Sequence, residues 1–240
     1  MTIVLTNDDG IDALGLAALF QAVKMVAPSM GFMTLGQHSS TIITVAPVEE
    51  MSGCGHQVTT RQPIAVHRRS DVAYAIGGTP ADCTRLALSH LCPDVKLVIA
   101  GINAGGNLGA DIYISGTIAA VREAALHQIP AIAISHYRQG RREIDWELAT
   151  RLTQHVLTQL LARPLSPKTF WNVNLPHLQP GDPMPAIVDC PLCRQPLPVS
   201  YYQDEQGFHY NGKYGDRQRD PGADVEVCLS GQISVTQLCI

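Results

Sequence analysis

An α/β fold built on an open, mostly parallel sheet is the class this sequence predicts, and three observations predict it. Strand-like and helix-like segments alternate along most of the chain. The run Lys96 to Ile102 is almost unbroken apolar, as in a strand covered on both faces, and glycine-rich turns stand where strands give way to helices. With 240 residues, 45% of them hydrophobic and 16% charged, the chain can enclose a sizeable core as one domain, 1–240.

The elements follow in order. Ile3-Val4-Leu5 forms a first strand that stops at Asn7-Asp8-Asp9-Gly10, and Leu16, Leu19, Phe20, Val23 and Val26 then recur at helical spacing until Pro28. The stretch 30–40 reads as a loop before the β-branched run Thr41 to Val45. A second loop, Pro47 to Gly55, carries Ser52-Gly53. Two short alternating segments near 56–60 and 63–67 follow, then a strand from Val72 to Ile76. Thr79 as N-cap, Pro80 at the first helical position and Asp82 in the first turn open a helix running to Leu91.

The strand at Lys96 to Ile102 leads into Gly101 to Asp111, a segment with four glycines and two asparagines. After it, Ser115-Gly116-Thr117 opens an alanine-rich helix to Gln128. Strand 131–135, helix 145–162 and strand 170–175 complete the alternation. Prolines then crowd 176–198, and Val199 to Tyr202 and Phe208 to Tyr210 flank Asp204-Glu205-Gln206-Gly207 as a hairpin, so 186–222 is expected to protrude as a C-terminal arm. In a sheet of this kind ligands bind at the carboxyl ends of the strands, near a switch in strand order. Asp8 and Asp9 leave one such end and Asn103 leaves another.

Composition removes several classes of function. A net charge of −4 and a pI near 6.1 argue against a stable complex with nucleic acid or with an anionic membrane. No apolar run approaches the roughly 20 residues of a membrane span. The N-terminus enters a strand with no basic segment ahead of it, so a cytoplasmic protein is expected. Seven cysteines, an odd and scattered set, suggest reduced thiols, and Cys190-Pro191-Leu192-Cys193 has no second pair to complete a zinc site.

The chemistry starts at Asp8 and Asp9. Adjacent carboxylates raise each other's pKa unless a cation neutralises them, and oxygen donors without nearby histidine or cysteine suit one hard divalent ion, Mg²⁺ or Mn²⁺. The glycine-rich loop and the Ser115-Gly116-Thr117 helix start offer backbone N–H groups, hydroxyls and a positive helix end, which suit phosphate. A cation beside that loop would share a phosphoryl oxygen with it and activate water for in-line attack. Taken singly, each motif has a plainer reading as a solvated turn, an N-cap or a solution to backbone geometry. Their joint presence at successive strand ends carries the argument. Of the nine histidines none shows ligand spacing, and His56, just after Ser52-Gly53, is the one that stands out. Neither a Gly-x-x-x-x-Gly-Lys-Ser/Thr loop nor a Gly-x-Ser-x-Gly elbow is present.

Four separated motifs resemble those of the SurE family of metal-dependent nucleotidases and phosphatases. They are Thr6-Asn7-Asp8-Asp9-Gly10-Ile11 with Gly15; Val45-Ala46-Pro47 leading to Ser52-Gly53; Gly78-Thr79-Pro80-Ala81-Asp82-Cys83; and Gly101 to Asp111 closing with Ser115-Gly116-Thr117 and Glu123. The resemblance implies a Rossmann-like, doubly wound domain with a swapped arm, a homodimer or larger assembly, and hydrolysis of nucleoside 5′-monophosphates to nucleoside and phosphate. By position, it implies Asp8 and Asp9 as the catalytic acids. The metal ligands would be Asp8, Asp9, the Ser52 hydroxyl and the Asn103 side-chain oxygen, and Asn107, Ser115, Gly116 and Thr117 would hold the phosphoryl group.

The chain departs from the family pattern in four places. An insertion occupies 28–40, Ile114 replaces a tyrosine, Met51 stands where a polar residue is common, and the sequence ends at Ile240 directly after a strand. The last feature favours a dimer through the arm over a tetramer built on a C-terminal helix. The insertion and Ile114 keep a second reading open, a nucleotide-binding sensor without catalysis.

Overall fold

The computed structural model describes residues 1–27, 41–140, 142–179 and 181–240. The insertion expected at 28–40 lies outside the described residues. Strands β1 (Thr2–Thr6), β2 (Thr41–Pro47), β3 (Val66–Ser70), β4 (Ala73–Ile76), β5 (Val95–Asn103), β6 (Ala131–His136), β7 (Thr169–Leu175), β8 (Ile187–Asp189) and β11 (Ile233–Cys239) form one sheet. Its order is β3-β4-β2-β1-β5-β6-β7-β11-β8. The six strands from β4 to β7 in that order run parallel; β3 and β11 are antiparallel to β4 and β7. β9 (Tyr201–Asp204) and β10 (Gly207–Tyr210) make a separate two-stranded hairpin. The predicted class, α/β on a mostly parallel sheet with a C-terminal hairpin, is the one observed.

Helices cover both faces because the central strands are apolar on both. Ile3 and Leu5 of β1, with Leu97 and Ile99 of β5, join a cluster with α1 (Leu14–Val26) and α4 (Trp146–Leu160). Val4, Val98 and Ala100 turn the other way, toward α2 (Pro80–Leu86) and α3 (Gly116–Leu126). Alternation within a strand thus sorts side chains between two cores, each wholly buried aliphatic group contributing roughly 1.5–3 kcal/mol.

The helix starts carry the caps their sequences promise. Thr79 and Asp82 form a reciprocal capping box, Ser115 accepts from the Ile118 N–H at 3.1 Å, and Asp145 accepts from the Leu148 N–H at 2.9 Å. α2 widens into a π-helical turn at Ala87–Leu91 rather than continuing regularly to Leu91.

Some local expectations shift. No strand forms at 56–60; that segment is fastened to side chains of α2 instead. The strand expected at 63–67 lies at Val66–Ser70. β8, three residues long, and α5 (Asp224–Leu229) were not expected. Within 186–222, β8 joins the main sheet through β11, while the Tyr201–Tyr210 hairpin exposes Tyr201, Tyr202, Phe208 and Tyr210.

The chain leaves β1 first toward β2 and β4, and later returns to β5 on the other side of β1. The order of strands therefore reverses between β1 and β5, and the crevice beyond their carboxyl ends is where a ligand fits.

Candidate active site

Three connections distant in sequence, after β1, after β2 and between β5 and α3, meet at that crevice. After β1, the Asn7 Nδ2 donates to the Gly10 carbonyl at 2.8 Å and closes the acid-bearing turn, which Gly10 completes at φ +102. The Ile11 N–H donates to the Pro47 carbonyl and the Met51 N–H to the Asp8 carbonyl, at 2.8 and 2.7 Å, tying this turn to the loop after β2. The Ala104 N–H donates to Asp9 Oδ2 at 3.1 Å and ties it to the loop after β5. The Thr117 hydroxyl donates to Asp8 Oδ1 at 2.5 Å, joining it to the start of α3. Gly116 fits because a Cβ there would stand 2.8 Å from the Asp8 Cβ.

Asp8 is 4% exposed. Burial, then the neighbouring Asp9 carboxylate, pushes its carboxyl up to about 6, against the Thr117 hydrogen bond, which holds it down. Burial also raises Asp9; the Ala104 N–H opposes the rise and Glu50 adds to it. Among the described residues no basic side chain acts on either carboxyl. A buried and a half-buried acid side by side, both raised by burial, make a site that a cation would suit.

The donor set fits a hard ion. Among the described residues no group of three or more His, Cys, Asp or Glu side chains forms a metal cluster, so two carboxylates need neutral oxygens beside them. Asn103 ends β5, and its Nδ2 donates to the Gly105 carbonyl at 2.8 Å, which leaves Oδ1 for a ligand. Ser52 is exposed in the loop tied to Asp8 through Met51, and its hydroxyl donates to Glu50 Oε1 at 2.7 Å, leaving its lone pairs for a ligand.

The four residues expected to hold phosphate are placed differently from one another. Ser115 caps α3, and as an acceptor there it keeps its own hydroxyl proton for a ligand. Gly116 and Thr117 present first-turn N–H groups, which no helical carbonyl can satisfy. Thr117 is committed to Asp8 through both its hydroxyl and its main-chain N–H, which leaves the Gly116 N–H for a ligand. Asn107 is buried: its N–H donates to Asn174 Oδ1 at 2.8 Å and its Nδ2 to Ser135 Oγ at 2.7 Å. Its carbonyl accepts from the side chains of Asn172 and Asn174. One amide hydrogen of Asn107 remains for any ligand.

Sequence reasoning missed several contributors. Glu50 touches Ser52 and acts on Asp9. Asn172 and Asn174, alternate and fully buried in β7, carry the Asn107 backbone; two buried asparagines in a strand were the signal that could have found them. Asp111 is held by Tyr214 and Arg217, and Asp224 accepts from the Gly109 and Cys193 N–H groups, so the segment after the hairpin clamps the glycine-rich loop. All seven cysteines are free. His56 meets Glu123 rather than the acids.

Comparison with known proteins identifies relatives of this chain and of its fold. The family model described as "Survival protein SurE" matches residues 3–196. A protein of Nostoc sp. (strain PCC 7120), which carries the provisional name of a 5′-nucleotidase, is 56% identical, with 99% of each chain covered. The 5′-nucleotidase SurE of Heliobacterium modesticaldum is 35% identical, covering 99% of this chain and 86% of its own. The crystal structure of the SurE protein from Aquifex aeolicus superposes with a TM-score of 0.80 at 30% identity, covering 100% of this chain and 93% of its own.

Proposed function

The chain belongs to the SurE family, and from that premise we propose that it is a metal-dependent phosphomonoesterase releasing phosphate from nucleoside 5′-monophosphates. The single observation that carries the proposal is the adjacent pair of Asp8, buried, and Asp9, half-buried, with Asp8 bonded to the N-terminus of α3. Relatives bearing the name 5′-nucleotidase support the substrate class.

Asp8, Asp9, Ser52 and Asn103 would hold one Mg²⁺ or Mn²⁺ per chain. Such an ion, when bound, supplies Lewis acidity toward a phosphoryl oxygen and toward water. The protein's own residues do the rest. The Thr117 hydroxyl fixes Asp8, and the Ala104 N–H fixes Asp9. The N–H of Gly116 and the hydroxyl of Ser115 would hold the phosphoryl oxygens at the positive end of α3, where charge spreads in the transition state, while Thr117 serves that end through Asp8. The cap at Ser115 and the glycine at 116 let that end approach Asp8 closely.

We assign the exposed aromatic hairpin Tyr201–Tyr210 to a homodimer contact, since an isolated two-stranded ribbon is marginal alone. No helix among the described residues is long and apolar enough to cross a membrane. The odd, scattered set of thiols supports a cytoplasmic setting.

Phosphate release from a panel of ribo- and deoxyribonucleoside 5′- and 3′-phosphates, with Mg²⁺ and with Mn²⁺, tests the reading. Wild-type protein should prefer 5′-monophosphates and lose activity in chelator. Asp8→Asn should lower turnover on the order of a thousandfold, equivalent to several kcal/mol. Near-normal turnover in that variant at saturating metal overturns the assignment.

A further inference from the structure

The loop that bears Ser52 is fastened at its far end by residues the chemistry above does not use. Gly53 and Gly55 both adopt left-handed backbone, at φ +73 and +58. The short link from Ser52 to His56 is braced by the Cys54 N–H donating to the Met51 carbonyl at 3.3 Å and the Gly55 N–H donating to the Ile114 carbonyl at 3.0 Å, so a shift at His56 carries to Ser52. His56 Nε2 lies 2.8 Å from Glu123 Oε2. The Glu123 side chain is 8% exposed and is also approached by His127 Nε2 at 3.3 Å and Arg85 Nε at 3.5 Å. The residues after His56 are tied to the start of α2. The Thr79 hydroxyl donates to the Gln57 carbonyl at 2.6 Å, and the Thr59 N–H and hydroxyl donate to Asp82 at 2.9 and 2.7 Å.

Glu123 lies seven residues along α3 from Gly116, about 10 Å of helical rise. That spacing sets the Glu123 carboxylate well apart from the helix start. α3 nevertheless carries both Thr117, which orients Asp8, and Glu123, which holds the Ser52 loop. One rigid helix thus sets two proposed ligands in a single frame. The His56 hydrogen bond is also the chief reason the Glu123 carboxyl sits below its ordinary range.

We propose that His56, held by Glu123, is a positioning residue that fixes the Ser52 hydroxyl for the cation that Asp8 and Asp9 would hold. The inference rests on the cation reading of the site. Groups that orient metal ligands from outside the coordination sphere change affinity by about 10–100-fold when removed. A role through the backbone belongs at the low end of that range.

The test is direct titration of Mn²⁺ without substrate, followed by paramagnetic resonance, on wild-type protein and the Ser52→Ala, His56→Ala, His56→Gln and Glu123→Gln variants. His56→Ala should weaken Mn²⁺ binding about tenfold, while kcat at saturating Mn²⁺ falls less than about threefold. His56→Gln, whose amide can donate where Nε2 does, should recover most of the affinity. Combining His56→Ala with Glu123→Gln should add little to the larger single effect. Glu123 keeps Arg85 and His127 when His56 is removed, so the fold should survive; if His56→Ala does not fold, Glu123→Gln supplies the same readout. Wild-type Mn²⁺ affinity in His56→Ala and Glu123→Gln, with affinity lost in Ser52→Ala, overturns the positioning role alone. No Mn²⁺ binding by wild-type protein, or unchanged binding in Ser52→Ala, overturns the cation or Ser52 assignment beneath it.

Discussion

Asp8 and Asp111 are both buried carboxylates beside the same crevice, and the chain treats them in opposite ways. Asp111 is wrapped by donors: the Tyr214 hydroxyl at 2.5 Å, Arg217 Nη1 at 3.0 Å and the Leu108 N–H at 3.1 Å. Arg217 is itself wholly buried, stacks over the Tyr214 ring at 4.8 Å and donates to the Leu108 carbonyl. Asp8 is held by the Thr117 hydroxyl and by main-chain N–H groups of Thr117 and Asp8, and its charged neighbour is another acid. A buried charge whose work is structural brings its counter-charge in the chain, because leaving it bare costs several kcal/mol. A buried charge left short of one is where an external cation fits.

The sharpest test of that contrast is stability measured in chelator. Arg217→Met should lower the unfolding free energy by about 4 kcal/mol, since it strands Asp111. Asp8→Asn should raise it, because it removes a charge that the fold disfavours. Urea denaturation of both variants reads the two signs. A destabilised Asp8→Asn protein would erase the distinction between the two acids.

The pH dependence follows with a smaller expected effect. Asp8 is raised from 3.8 to about 6 in the folded protein, so folding favours its protonated form. Its contribution to metal-free stability is therefore best below pH 4, declines as pH rises from 4 to 6, and is fully lost above about 6. The ceiling on that loss is about 3 kcal/mol. Adding Mn²⁺ should flatten the window, because the ion takes the proton's place. A stability profile between pH 4 and 7 that is the same with and without Mn²⁺ counts against a cation at Asp8. Asp8→Asn separates this acid from others titrating in the range.

Thr117→Val gives the smallest change and the finest reading. It keeps the shape of the side chain while removing the hydroxyl that holds Asp8. Mn²⁺ affinity near pH 7 should fall about tenfold, as loss of one hydrogen bond to a charged group implies. Unfolding in chelator should shift little. Unchanged affinity would mean that the Thr117 contact leaves the geometry of the acid pair alone.

Much of the fold was legible from the chain alone. The Thr79-Pro80-Ala81-Asp82 box, the Ser115 cap and the apolar run of β5 all act through neighbours a few residues away, so local chemistry suffices to read them. β8 escaped because three edge residues carry no usable period. α5 escaped because six residues after a turn show less than two helical turns of pattern. The segment 56–60 alternates like a strand, yet it is held by Asp82 and by Thr79 of α2, side chains that local pattern cannot place beside it. Asp8 and Asp9 as an acid pair, and Ser115 as the start of α3, were equally legible. What each residue touches was not.

The amino-acid order by itself determined where the capped helices and the apolar central strands begin, which turns need glycine, and that two acids stand at the end of the first strand. These properties depend on steric and hydrogen-bonding preferences within a few residues. Only the tertiary structure decided that Thr117 reaches Asp8 across 109 positions and that Arg217 reaches Asp111 across 106. Such pairings depend on strand order, on the reversal between β1 and β5, and on which helix lies over which face. Those are settled by how the whole core packs, because long-range contacts form only where burial of two apolar faces outweighs the entropy of closing the chain between them.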